Sequence, residues 1–453
     1  MSQASPLQSD SAPKAVLPLD YSPDRADENR VLGQISRRLI PFLALLYVVN
    51  YLDRTNIAMA QLQMAQDTGL SEYAYGLGAG LFFIGYFLFE FPSNLIMERV
   101  GARIWLARIM ISWGIISTLM MFVRGPMSFY GLRFLLGLAE AGFFPGVVLY
   151  LTYWVPSRRR AGALAAFVTS TAISGMVGNP LAGMLMRMDG LGGLHGWQWL
   201  FLLEGILPVG LGFAVLALLP DRPKQAKWLS EPDRQWLERE LAADNHSTHH
   251  HASDLAQALS SSHLWMMSAN YFMFIMGFFG FIYWLPRIIK DVSGASDMQV
   301  GFLSAIPYVV ATVSMVIIGH HADRHNERRW HAAICMLIAA VAMAVVPFGR
   351  TTSFTLVWFC IAAIGIWSTI GPFWTLCTKY LCGTSAAGGI AIINSIGCLA
   401  GFVAPFIIGW VKSRTDSFVG GMLVVAGSLV IGAILVLCVP PAVDRGGDDA
   451  NAV

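Results

Sequence analysis

Of the 453 residues, 55% are hydrophobic and only 13% are charged, at a mean hydropathy of +0.57. A soluble domain carries about 25% charged residues, and a chain of this length cannot build a core large enough to hide so much apolar surface without lipid. An ordinary soluble globule is excluded, while the formal net charge of +2 excludes nothing about partners.

The chain opens on a polar stretch, residues 1–34, that reads as a disordered N-terminal tail with no secretory signal before the first apolar segment. Crossing a bilayer takes roughly 20 apolar residues per helix. Stretches of that length run at 39–63, 74–97, 103–123, 127–154, 161–186 and 197–219, then at 263–288, 298–320, 331–349, 354–380, 387–411 and 418–440. The expected fold class is therefore an all-α membrane protein of twelve transmembrane helices. A half spanning 35–219 and a half spanning 263–440 are joined by a central loop, 220–262, and a short tail, 441–453, closes the chain.

The Lys/Arg census sets the orientation. With the N-terminus in the cytoplasm, cytoplasmic segments hold 20 of these residues and external segments 7, and three more (Arg54, Arg108 and Arg133) lie within spans. Both termini are expected to be cytoplasmic, in a multi-pass protein of the inner (plasma) membrane. The central loop contains Pro220-Asp221-Arg222-Pro223 and a charged stretch through Glu240 that suits an amphipathic surface helix. The run His246, His249, His250, His251 follows, with no Cys or carboxylate at ligand spacing, so a solvated loop is expected rather than a metal site. The six cysteines, Cys335, Cys360, Cys377, Cys382, Cys398 and Cys438, fall in or beside apolar segments of the second half and read as packing residues.

The second half repeats the first. Glu98-Arg99 at the end of span two recurs 225 residues later as Asp323-Arg324, Pro180 recurs as Pro405 at the same offset, and Pro145 as Pro372 at 227. Three matches on corresponding spans point to a duplicated six-helix unit. Parallel repeats of this kind place a binding site between the halves near the midplane and open it alternately to each side. Glu98, Arg99, Asp323 and Arg324 are then candidate gating residues on the cytoplasmic face.

Charges within spans carry the functional signal, because each costs roughly 2.5–3.5 kcal/mol near the bilayer centre unless paired or hydrated. Span one holds Asp53-Arg54, and span four holds Arg133 and Glu140, seven residues apart and so nearly on one face. Adjacent Asp53 and Arg54 diverge by about 100°, which permits the pairs Asp53–Arg133 and Arg54–Glu140. Buried ion pairs are a poor source of stability, so four such charges suggest use. Arg54 suits a carboxylate, which its guanidinium can bind bidentately. Protonating Glu140 would release Arg54 for that anion, and Asp53 with Arg133 would form a second titrating pair.

The stretches YLDRTNIAMA, GYFLFEFPSNLIMERVGARIWLARIMISWG and RFLLGLAEAGFFPGVVLYLTYWVPSRRRA resemble the anion:cation symporter family of the major facilitator superfamily, within it the bacterial tartrate, phthalate, 4-hydroxyphenylacetate and sugar-acid permeases. WQWLFLLEGILP, PDRPKQAKWLSEPDRQWL and FIYWLPRIIKDVSGASDMQVG extend the resemblance to residues 35–440. It implies proton-driven import of a small organic anion. It also implies that Arg54 binds the substrate carboxylate, that Glu140 is the protonatable acid with Asp53 and Arg133 the accompanying pair, and that Tyr51, Tyr86, Trp374 and Asn394 face the substrate. The sugar-acid permeases usually carry two asparagines around span eleven. Here only Asn394 is evident, with Cys398 near the second position.

Glu90 and Glu204 are further acids within spans, for which hydrogen bonding between helices competes with a place in the proton path. Trp367, Phe373 and Trp374 offer an aromatic wall or ordinary packing. The GMVGNPLAG run of span five suits close packing and, with a wide aromatic cavity, leaves an exchanger or exporter of drugs or anions as the alternative. No Ser-His-Asp order, metal motif or phosphate loop stands out. Neither an enzyme nor a cofactor is expected, and the partners are a small organic anion, protons and lipid, not nucleic acid, with a monomeric protein.

Overall fold

The computed structural model describes residues 25–246, 261–325, 327–380 and 385–439, leaving aside the side chains of 25–27, 158, 160–169, 244–246, 379–380 and 385–387. His249 to His251, Cys382 and most of both expected tails lie outside the described residues. The first half comprises α1 (Arg25–Thr68), α2 (Glu72–Val100), α3 (Ala102–Leu119), α4 (Pro126–Glu140), α5 (Phe143–Thr152), α6 (Ser157–Leu185) and α7 (Gly196–Leu218). After α8 (Glu231–His246) come α9 (Ser262–Ser293), α10 (Asp297–Arg324), α11 (Arg329–Val345), α12 (Thr352–Tyr380), α13 (Ser385–Thr415) and α14 (Val419–Cys438). Among the described residues, eleven helical segments, with α4 and α5 forming one, are long and apolar enough to cross a membrane, and the 29-residue α6 is a twelfth of matching length.

Two expectations are corrected. The tail does not run to residue 34, because α1 begins at Arg25 and buries Val31 and Leu32. Span four is not one helix: it breaks between Glu140 and Phe143, where Gly142 takes φ +87°, a left-handed conformation open mainly to glycine. A Cβ there would lie 2.2 Å from Ser93 Oγ, so the break sits tightly against α2. The surface helix expected in the central loop is α8. It buries Trp236, Leu237 and Leu241 and is tied to α1 by Arg30–Asp233 at 2.9 Å.

The repeat extends into atomic detail. Ser71 and Ser296, 225 residues apart, both cap a helix start by accepting a backbone N–H, and each is followed by an acid, Glu72 and Asp297. Arg103 and Arg329 each donate to a carbonyl near the end of their half's last helix, Leu216 and Leu437. The halves meet where α2 packs on α13 and α6 on α10, two interfaces that exchange under the repeat. Gly76 and Gly301, again 225 apart, lie at equivalent depths in them, and a Cβ on either would come within 2.4 Å of the carbonyl of Pro405 or Asn179. These close approaches all lie toward the face opposite the one at which α1 begins and α14 ends.

A cavity between the halves

A cavity of about 800 Å³, counting its part open to solvent, lies between the halves. Tyr47, Tyr51, Arg54, Phe83 and Tyr86 line it from the first half, and Tyr271, Phe274, Phe278, Phe279, Trp374, Asn394 and Cys398 from the second. Its lining, mostly aromatic with a few convergent polar groups, suits a small organic molecule. Among the described residues, Arg54 is the one lining residue with a formal charge. Its Nε donates to Glu140 Oε1 at 2.5 Å, and its guanidinium carbon lies 5.0–5.4 Å from the ring centres of Tyr51, Phe82 and Tyr86. Arg54 Nη2 and Glu140 Oε2 are buried without a hydrogen-bond partner. Because α4 ends at Glu140, that carboxyl occupies the negative end of the helix dipole. The arrangement is a half-used ion pair at the wall of a cavity.

The expected Asp53–Arg133 pair does not form. Asp53 turns instead to α3, where its Oδ2 accepts from Trp113 Nε1 and its Oδ1 from Ser117 Oγ at 2.5 Å and from Asn56 Nδ2 at 2.9 Å. Arg133 lies against α2, donating to the Ala79 carbonyl at 3.3 Å with its guanidinium 4.9 Å from the Phe82 ring centre, beside the Tyr283 phenol. Both residues are buried and neither lines the cavity. The diverging directions of Asp53 and Arg54 separate the four charges: only one pair closes, and three polar donors take the place of the second cation.

Tyr51, Tyr86, Trp374 and Asn394 all reach the cavity. Asn394 Nδ2 donates to Glu90 Oε1 at 3.0 Å, which makes Glu90 an inter-half residue. Glu204 stays inside the first half, with both carboxyl oxygens buried and unpartnered beside Asn56. Trp367 and Phe373 are fully buried in the aromatic packing behind Tyr271 and Phe278, so of the three aromatics singled out on this helix only Trp374 faces the cavity.

Glu98, Arg99 and Arg324 form no ion pair among the described residues, and Asp323 pairs with Arg328 of its own half at 3.0 Å. Apart from the Glu90–Asn394 contact beside the cavity, charged links between halves among the described residues lie at the opposite face. Arg287 of α9 pairs with Glu72 of α2 at 3.0 Å, and Gln63 of α1 donates to Asp297 of α10 at 2.8 Å. Gln61 supports Glu72 at 2.6 Å and Lys290 supports Asp297 at 2.9 Å. These residues were overlooked in the sequence, although Glu72 and Asp297 carry the 225-residue offset directly.

A family model described as Major Facilitator Superfamily matches residues 43–405. The chain belongs to that superfamily. It is a membrane transporter and not an enzyme. It is 48% identical over 421 residues, 93% of its length and 97% of the relative's, to an Agrobacterium vitis protein named "Putative tartrate transporter". It is 42% identical to a quinolone resistance transporter of Acinetobacter baumannii, covering 92% of this chain and 96% of that one. Among solved structures, a bacterial homologue of the human lysosomal transporter Spinster, in an inward-facing and occupied conformation, superimposes with a TM-score of 0.72 at 18% identity, over 88% of this chain and 95% of the other. A D-xylose-proton symporter gives 0.70 at 14% identity, over 89% and 98%. Those two likenesses concern the fold of this superfamily transporter.

Proposed function

We propose that this transporter is a proton-coupled symporter that imports a small organic carboxylate across the inner membrane, with the face carrying the termini cytoplasmic. The observation that carries the reading is the Arg54–Glu140 pair at 2.5 Å, with Arg54 Nη2 left unpartnered at the cavity wall. While Glu140 is ionised the pair is neutral and attracts an anion weakly. Once Glu140 takes a proton, Arg54 loses its hydrogen-bonded counter-ion, and its free guanidinium edge can receive a carboxylate. Substrate and proton therefore enter together, and no covalent step is needed. The relative named for tartrate supports an anionic cargo. The aromatic second-half wall, with Asn394 engaged by Glu90, favours a carboxylate with a flat or apolar body over a densely hydroxylated one.

The test is uptake and counterflow of labelled tartrate and phthalate in proteoliposomes. Glu140→Gln should lose proton-driven accumulation and keep exchange. Arg54→Lys, which loses the bidentate fork, should weaken binding by about 1.5–3 kcal/mol, read as a roughly tenfold to hundredfold rise in half-saturating concentration. Accumulation by Glu140→Gln at the parent level would overturn the coupling, and parental affinity in Arg54→Lys the anion site. A second reading, export of aromatic compounds, draws on the same aromatic wall and on the quinolone resistance relative. It predicts proton-driven efflux of a fluoroquinolone from the same vesicles.

A further inference from the structure

Glu90 is a buried acid, bonded to a cavity-lining residue, that the Arg54–Glu140 mechanism leaves unused. It lies on α2 one turn beyond Tyr86, is 7% exposed, and sits where α2 crosses α13 on the side of the cavity nearer the termini. Its Oε1 accepts from Asn394 Nδ2 at 3.0 Å and its Oε2 from Ser395 Oγ at 3.5 Å, both on the opposite half. No Lys, Arg or His among the described residues pairs with it. The titratable groups within its electrostatic reach are Arg54 of α1, Tyr86 of its own helix, Tyr271 of α9 and Cys398 of α13. Of these only Arg54 is cationic, and that guanidinium already bonds Glu140.

The charge count has a consequence. With both acids ionised, the set Arg54, Glu140 and Glu90 sums to −1 and repels a carboxylate. One proton on Glu140 brings it to zero. A second proton, on Glu90, brings it to +1, complementary to a monoanion. Glu90 holds the amide of Asn394, which itself lines the cavity, so its ionisation also decides whether that amide is committed to an acid or free for substrate. A fixed clip between helices would need no ionisable group, since glutamine fills the same space and bonds the same amide.

We propose that Glu90 is a second proton-carrying residue of the transport cycle, so that two protons accompany each monoanion and import is electrogenic. This rests on the symport reading above. Both protons enter with the substrate and leave with it on the other side of the membrane; the only bonds made and broken are O–H bonds to carboxyl oxygens and water. Deprotonated Glu90 then recaptures Asn394 across the halves, as in the conformation described here.

Two measurements on the full-length protein in proteoliposomes test this. The first is infrared difference spectroscopy on acidification, without substrate. The parent should gain a protonated-carboxyl band that is missing in Glu90→Gln and displaced along the pH axis in Asn394→Ala. A band of parental intensity in Glu90→Gln overturns the proposal. The second is equilibrium accumulation of tartrate and of phthalate, each expressed as the inside-to-outside ratio of its monoanion, with the membrane potential clamped at zero and a one-unit pH gradient. Two coupled protons give about a hundredfold accumulation and one gives about tenfold, so Glu90→Gln should fall from the first value to the second while still transporting. Equal accumulation by parent and variant overturns it. If the parent accumulates neither acid, the symport reading fails, and the infrared result still decides whether Glu90 titrates.

Discussion

Asp53 receives three donors, and Trp113 Nε1 among them can only donate. Removing the acceptor strands those groups in a dry interior at about 1–3 kcal/mol each. Asp53→Ala should therefore lower the melting temperature in detergent markedly, and Asp53→Asn, which keeps one acceptor oxygen, by less. Glu204 is the reverse case. Its two oxygens and Asn56 Oδ1 are buried with no partner, so a neutral amide suits the site at least as well as an acid, and Glu204→Gln should melt within about 0.5 kcal/mol of the parent. A large loss in Glu204→Gln would mean that the acid has a partner this conformation lacks. At this scale the sequence disclosed which charges matter but not all of their partners. Arg54 and Glu140 meet because the two opposite charges reach hydrogen-bond distance between α1 and α4. Asp53 goes elsewhere because two neutral donors four residues apart on α3, Trp113 and Ser117, face it with Asn56 of its own helix, and hydropathy does not distinguish a tryptophan that packs from one that donates.

Among the elements, the broken fourth span bears most directly on the site. Hydropathy runs unbroken through 127–154, yet α4 stops at Glu140 and α5 restarts at Phe143. The local signal was AGFFPG, with Gly142 for the left-handed turn and Pro145 in the next turn. Gly142→Ala meets both a disfavoured φ and Ser93 at 2.2 Å, at a cost of about 1–3 kcal/mol. It should also displace Glu140 and reduce proton-driven accumulation more than counterflow. Gly137 and Gly210 form a matched pair for packing. A Cβ on Gly137 would come 1.9 Å from the Phe82 carbonyl of α2, whereas nothing lies within 4 Å of one on Gly210. Gly137→Ala should destabilise by about 1–3 kcal/mol, and Gly210→Ala should be neutral or stabilising by up to about 1 kcal/mol. Equal melting of the two variants would show that the α2–α4 contact is looser than these distances imply.

For the whole molecule, the duplication was legible from Glu98/Asp323 and Pro180/Pro405, because a repeat leaves its offset in any residue that its geometry demands. Which face closes was not legible, because closure is a property of one conformation and the same charges serve every conformation. The candidate gate at Glu98, Arg99, Asp323 and Arg324 makes no contact between halves here, while Glu72–Arg287, Gln63–Asp297 and the glycine contacts hold the opposite face shut. Closure through such short glycine contacts is easily blocked. A leucine at Gly76 or Gly301 cannot fit beneath the Pro405 or Asn179 carbonyl, so either substitution should exclude this state and populate the one open to the other side. Cys398 lines the cavity and reports the change. In a variant with Cys398 as its single cysteine, a membrane-impermeant thiol reagent should label the parent mainly from the face carrying the termini. Gly76→Leu and Gly301→Leu should instead be labelled from the opposite face, Glu72→Gln should give an intermediate ratio, and substrate-driven protection should persist in all of them. If Gly76→Leu keeps the parental sidedness, the α2–α13 contact is not what holds that face closed, and the charged pairs alone would have to account for it.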